Sequence, residues 1–155
     1  MNWFKRKLSD WVVETHTRDL AQFLETLPRD ARTLGAAAAA ANDLRLRMLH
    51  GHGWDLRDPS VMRKSPKAMA ELGAFIERLR KEGQDALAAV AMIWLHTIRA
   101  TQWPELRPLA LEMWQLIAEG FDHIEQVEEE LFAATGRRHL LDDATVIPPV
   151  LFRLR

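Results

Sequence analysis

In this chain of 155 residues, the side chains that could do chemistry are histidines, arginines and carboxylates, because it contains no cysteine. Without thiolates, a metal ion would have to be held by imidazole and carboxylate ligands. His50 and His52 flank Gly51, and His123 lies one helical turn from Glu119. A site drawn from His50, His52, Glu119 and His123 is therefore the candidate metalloprotein or hydrolase centre, with the metal activating a water. A di-iron bundle would need Glu-x-x-His pairs on two helices, and the sequence has none. His96 closes an apolar stretch and His16 lies beside the seam between Val12 and Leu20. Each reads first as a buried histidine bonded to a backbone carbonyl, with haem ligation as the functional alternative for His96. No cofactor is expected.

Two short patterns resemble known helical enzymes. The set His50, His52 and His123 is similar to the DinB-type four-helix metal-dependent domains, which use three histidines from separate helices, but a second closely spaced C-terminal histidine is absent here. Arg45-Leu46-Arg47-Met48-Leu49-His50 resembles the Arg-x4-His motif of HEPN-type helical ribonucleases. That resemblance covers six residues and implies that Arg45 stabilises phosphate charge while His50 moves protons during RNA cleavage. Leu46 replaces the polar residue common after the arginine. Nucleophile elbows, phosphate-binding glycine loops and nucleotide fingerprints are missing.

Other residues favour contact over catalysis. Of six tryptophans, Trp54 and Trp103 fall in breaks between periodic stretches, where they either plug the end of a core or anchor a partner. Trp3 and Phe4 precede Lys5, Arg6 and Lys7, a short basic amphipathic start capable of weak contact with a membrane surface. Glu119, Asp122, Glu125, Glu128, Glu129 and Glu130 form an acidic ridge, read first as a solvated face. Near the C-terminus, Val146-Ile147-Pro148-Pro149-Val150-Leu151-Phe152 would be a liability if exposed, so it is expected to lie along its own bundle or in a groove of another subunit.

Helices must position these residues, because apolar residues recur at spacings of three and four and no stretch alternates as a strand would. A first helix spans residues 4 or 9 to 27, with Phe4, Leu8, Trp11, Val12, Leu20, Phe23, Leu24 and Leu27 on one stripe, and Pro28 ends it. A second, from residue 29 or 30 to 50, contains the alanines 36–41, which favour helix and let a neighbour approach closely. Residues 51–59, with two glycines and a proline, form a loop. Ser65-Pro66 is an N-cap followed by proline, and Gly83 stops the helix that follows. The helix over residues 85–101 is apolar on nearly every side and belongs at the centre of the bundle. Trp103-Pro104 interrupts the pattern, which restarts at Glu105. It runs to a C-cap at Gly136, with Gly120 as a point of kinking or splitting.

The expected fold is thus an all-α bundle of five or six helices over residues 1–138, with an extended tail over 139–155. The 48% hydrophobic and 28% charged composition is that of a globular chain. The apolar run of residues 86–95 is about half the length of a membrane span. The absence of cysteine fits a reducing, bacterial-type cytoplasm, and no export segment follows the basic start. Residues 1–81 carry 15 Lys/Arg against 10 Asp/Glu, and residues 82–155 carry 6 against 12. These charges either pair across the packed halves or form patches for partners, and no face has the basic density of a specific nucleic-acid binder. The leading functional expectation is a non-enzymatic protein–protein interaction module, an adaptor, inhibitor or assembly factor that self-associates. Trp54, Trp103, Val150, Leu151 and Phe152 are the expected partner contacts. The alternatives are the metalloprotein built on His50, His52, Glu119 and His123, and then the HEPN-like ribonuclease.

Overall fold

Local capping chemistry fixes several of the helix ends. A computed structural model describes residues 3–55 and 59–135, and the expected tail contacts Val150, Leu151 and Phe152 and the expected cap Gly136 lie outside them. Six α-helices are present among the described residues, and no strand: α1 (Trp3–Thr26), α2 (Ala31–His52), α3 (Pro59–Arg63), α4 (Pro66–Lys81), α5 (Asp85–Gln102) and α6 (Arg107–Thr135). A 3-10 turn, Pro104–Leu106, links α5 to α6. The all-α bundle expected from the spacing is the observed class.

At the start of α2 the Asp30 side chain accepts from the Thr33 N–H at 3.2 Å, meeting one of the donors that a helix N-terminus leaves unpaired. At its end Gly53 takes φ 71° and donates to the Leu49 carbonyl. Gly51 therefore lies inside the helix, which runs two residues past the expected end at His50. Ser65 caps α4 as anticipated, its Oγ accepting from the Ala68 N–H at 3.2 Å. Gly83, at φ 72°, closes α4 with a pair of bonds, Gly83 N–H to Arg80 and Gln84 N–H to Leu79. The loop expected over residues 51–59 is shorter at its far end, because Pro59 begins the five-residue α3. Arg63 ties α3 to the end of α5 by donating to the Thr101 carbonyl at 2.7 Å.

The core gathers on α5. Val90, Ala91, Ile93, Trp94, Ile98 and Ala100 are buried, and α5 packs against α2, α3, α4, α6 and the 3-10 turn. This is the central helix that its all-round apolar sequence implied. Trp94 meets Trp114 of α6 edge to face, with ring centroids 4.6 Å apart. The Trp114 indole N–H donates to Thr97 Oγ1 at 2.8 Å, and that hydroxyl donates to the Ile93 carbonyl at 2.8 Å. A polar relay thus crosses the core with each of its hydroxyl and indole hydrogens used.

The α2–α6 contact is the most extensive in the bundle. Ala37, Ala38 and Ala41 of the alanine run are buried, whereas Ala36 and Ala39 are exposed. Where the helices cross, a Cβ added at Gly120 would collide with the carbonyl of Leu34 and approach the Gly35 nitrogen at 3.0 Å. Gly120 was expected to kink or split its helix, yet α6 runs continuously from Arg107 to Thr135. The glycine serves close approach of two backbones, and the packing on α2 outweighs the modest helix penalty of one glycine.

Candidate interaction surface

Catalysis would need convergent polar groups, and the histidines named from sequence do not converge. His50 and His52 are exposed at the C-terminal end of α2. Glu119 is exposed and His123 half-buried on α6, next to the Gly120 crossing at Leu34 and Gly35. At the helical rise, Leu34 and His50 are roughly 24 Å apart along α2, so the two halves of the expected site sit at opposite ends of that helix. No group of three His, Asp or Glu side chains among the described residues is arranged to hold a metal ion. Arg45 is half-buried and His50 exposed. Five residues of α-helix turn them about 140° apart, on different sides of α2.

The most polar part of the interior lies where α1 meets the C-terminal half of α5. His96 is 1% exposed, and its ring packs on Phe23 with centroids 5.1 Å apart. Arg99 Nη1 lies 3.3 Å from His96 Nδ1. Arginine can only donate, so Nδ1 accepts and the ring proton sits on Nε2. Burial, then the Arg99 charge, then His16 lower the His96 pKa to about 3. Burial and Arg99 likewise lower His16, against Asp19, which raises it. A base of pKa about 3 is too weak to take up a proton near neutral pH, and its neutral N–H is too weak an acid to give one. His96 is thus a neutral imidazole whose tautomer Arg99 sets, serving the packing of α1 on α5. A buried histidine at His96 was expected, but its partner is a guanidinium in place of a backbone carbonyl.

The tryptophans divide by position. Trp54 is half-buried and stacks on His52 with centroids 4.3 Å apart, so the one aromatic holds the other. Trp54 also lines a cleft of about 280 Å³ with Val61, which is 61% exposed. Trp103 is half-buried against the core, and its extended backbone before Pro104 ends α5.

The surface most open to a partner is elsewhere, on the first three turns of α1. Trp3, Phe4, Leu8 and Trp11 are between 53% and 69% exposed. At 100° per residue, Phe4, Leu8 and Trp11 fall within about 60° of one another, making one apolar face. Lys5 and Lys7 border this face, and the Lys7 ammonium sits 4.8 Å from the Trp3 ring. The sequence stripe joined these residues to Leu20, Leu24 and Leu27 as a single core face. Only those last three are buried, because α1 packs on α6 and the 3-10 turn through its C-terminal half. A signal for the division was present: residues 14–19, Glu-Thr-His-Thr-Arg-Asp, are all polar and separate the two apolar patches.

No protein-family model matches this chain, and no curated protein or solved structure does either. No helix among the described residues is long and apolar enough to cross a membrane.

Proposed function

We propose that this protein is a non-enzymatic helical interaction module that self-associates through the N-terminal half of α1. The observation that carries the reading is the concentration of large apolar side chains on one solvent-facing helical face, Phe4, Leu8 and Trp11, with Trp3 exposed beside it across Lys7. Clustered aromatic and leucine side chains on an exposed surface are characteristic of contact sites, and tryptophan is enriched among the residues that dominate binding energy.

A second copy fits this face in charge as well as in apolar character. Lys5, Arg6 and Lys7 lead the helix, and Asp10 and Glu14 follow one to two turns later. In an antiparallel pair of α1 helices, the basic start of one copy lies beside the acidic stretch of the other, while the apolar faces meet between them. Closed twofold pairing of this kind is the commonest form of self-association. An anionic membrane is the weaker fit. The attraction is worth about 1 kcal/mol per basic residue near the surface, and Asp10 and Glu14 oppose it within the same turns.

The lack of cysteine allows a direct test. Leu8→Cys introduces a single thiol into the proposed interface, and Lys67→Cys introduces one at a remote, highly exposed position on α4. Under mild oxidation, Leu8→Cys is expected to form a disulfide-linked dimer far faster than Lys67→Cys. Equal rates for the two variants would show collision alone and would remove the reading.

A further inference from the structure

A second apolar surface lies on the opposite use of the alanine run. An open groove of about 320 Å³ runs between the N-terminal halves of α2 and α5, with the middle of α6 below it. Its walls include Leu27, Pro28, Ala37, Ala89, Ile93 and Ile117. The small alanine side chains leave room for a backbone to lie close to both helices, and the wall offers few groups that hydrogen-bond. An occupant must therefore be apolar and must bring few backbone donors that would lose water on burial.

We propose that residues 146–152 of the same chain dock in this groove in cis. Three properties of the segment match it. It is apolar throughout, Val-Ile-Pro-Pro-Val-Leu-Phe, and its two prolines carry no N–H to desolvate and favour an extended backbone. The groove follows α5 from Asp85 to Ile93, about 12 Å at the helical rise, so it seats about four extended residues, the middle of the seven-residue segment, with the others at its two ends. Charge agrees at the rim, where Asp85 is the acidic member of the lining and Arg153 and Arg155 follow the apolar run.

The tether is long enough. From Thr135 at the end of α6 back to Ile117 is 18 residues of helix, roughly 27 Å. The chain from 135 to 146 can span up to roughly 36 Å when extended. The segment can therefore fold back along α6 and reach the groove of its own molecule. Short-tether geometry of this kind gives an effective concentration that an untethered segment does not have.

Paired cysteines in the full chain test the proposal. Ala86→Cys and Ala36→Cys place a thiol on either wall at positions that are already exposed, so the fold tolerates both, and each is combined with Leu151→Cys. The control pair is Ala74→Cys with Leu151→Cys, because Ala74 is exposed on α4, which does not line the groove. The expected result is an intramolecular disulfide in at least one groove pair, formed about tenfold or more faster than in the control, as tethering in a defined place requires. The monomer bearing it migrates faster on a non-reducing gel. Formation no faster than in the control overturns the proposal. So does a disulfide that is only intermolecular, which would assign the groove to another copy's segment.

Discussion

At the scale of single residues, two of the glycines inside helices, Gly73 and Gly120, separate packing from propensity. Gly120→Ala drives a methyl into the Leu34 carbonyl, and backbone cannot swing aside as a flexible side chain can. The variant is expected to lose about 1 to 3 kcal/mol of stability, the usual cost of overpacking. Gly73→Ala in α4 meets nothing within 4 Å and has no positive φ, so the same change there is expected to gain about 0.5 to 1 kcal/mol. Urea denaturation of the two variants checks both signs at once. The sequence showed each glycine inside a helical pattern and gave no means to tell them apart, because the difference lies in how near another backbone comes.

His96 makes a pH prediction. Its pKa is about 3 in the fold against 6.5 for the ordinary imidazole, so below pH 6.5 the unfolded chain takes up a proton that the folded chain does not. The contribution is fully present above pH 6.5 and is lost progressively as pH falls toward 3. The slope approaches about 1.4 kcal/mol per pH unit, and His16 adds to it with the same sign. Unfolding midpoints are expected to fall between pH 7 and 5, before most carboxylates titrate, and the fall is expected to be much shallower in His96→Leu. An unchanged slope in that variant would place the pH dependence elsewhere. In the core relay, Thr97→Val leaves the buried Trp114 N–H without its acceptor and is expected to cost about 1 to 3 kcal/mol in the same assay.

At the scale of elements, what sequence revealed was the chemistry contained within a few adjacent residues. Ser65 before Pro66 and Gly83 after Arg80-Lys81-Glu82 each act through bonds to the adjoining turn, so their types and spacing suffice. Ser65→Ala is accordingly expected to cost about 1 kcal/mol, read from thermal or chemical unfolding. The central place of α5 was legible for a related reason, since its apolar residues surround the whole helix. The fate of the α1 stripe was legible only as a break at the polar residues 14–19. Whether Leu8 and Trp11 are covered depends on how far neighbouring helices extend, and nothing within residues 3–13 records that length. Candidate sites assembled from distant segments failed in the same way: His50 and His123 are compatible types at a compatible number of turns, but the helix crossing sets them at opposite ends of α2.

At the scale of the whole molecule, the exposed charges form pairs along single helices. Ion pairs such as Arg47 with Asp43, Lys67 with Glu71 and Arg80 with Glu77 join residues within one helix. Exposed pairs of this kind contribute little to stability, so the fold rests on the buried apolar core and its caps. The molecule then presents two apolar surfaces of different character. The α1 face is convex and rich in tryptophan with charges of both signs beside it, which suits pairing of like with like. The groove between α2 and α5 is concave and lined by alanine, which suits an extended segment.

Sedimentation equilibrium of the unmodified protein and of Leu8→Glu/Trp11→Glu over a wide range of concentration tests the self-association most directly. Both replaced side chains are more than half exposed, so the variant is expected to keep its helical circular dichroism and its unfolding midpoint. The unmodified protein should shift from monomer to dimer with rising concentration, while the variant should remain monomeric throughout. A monomer in both cases, or a dimer that survives the two glutamates, would contradict the assignment of α1 as the interface.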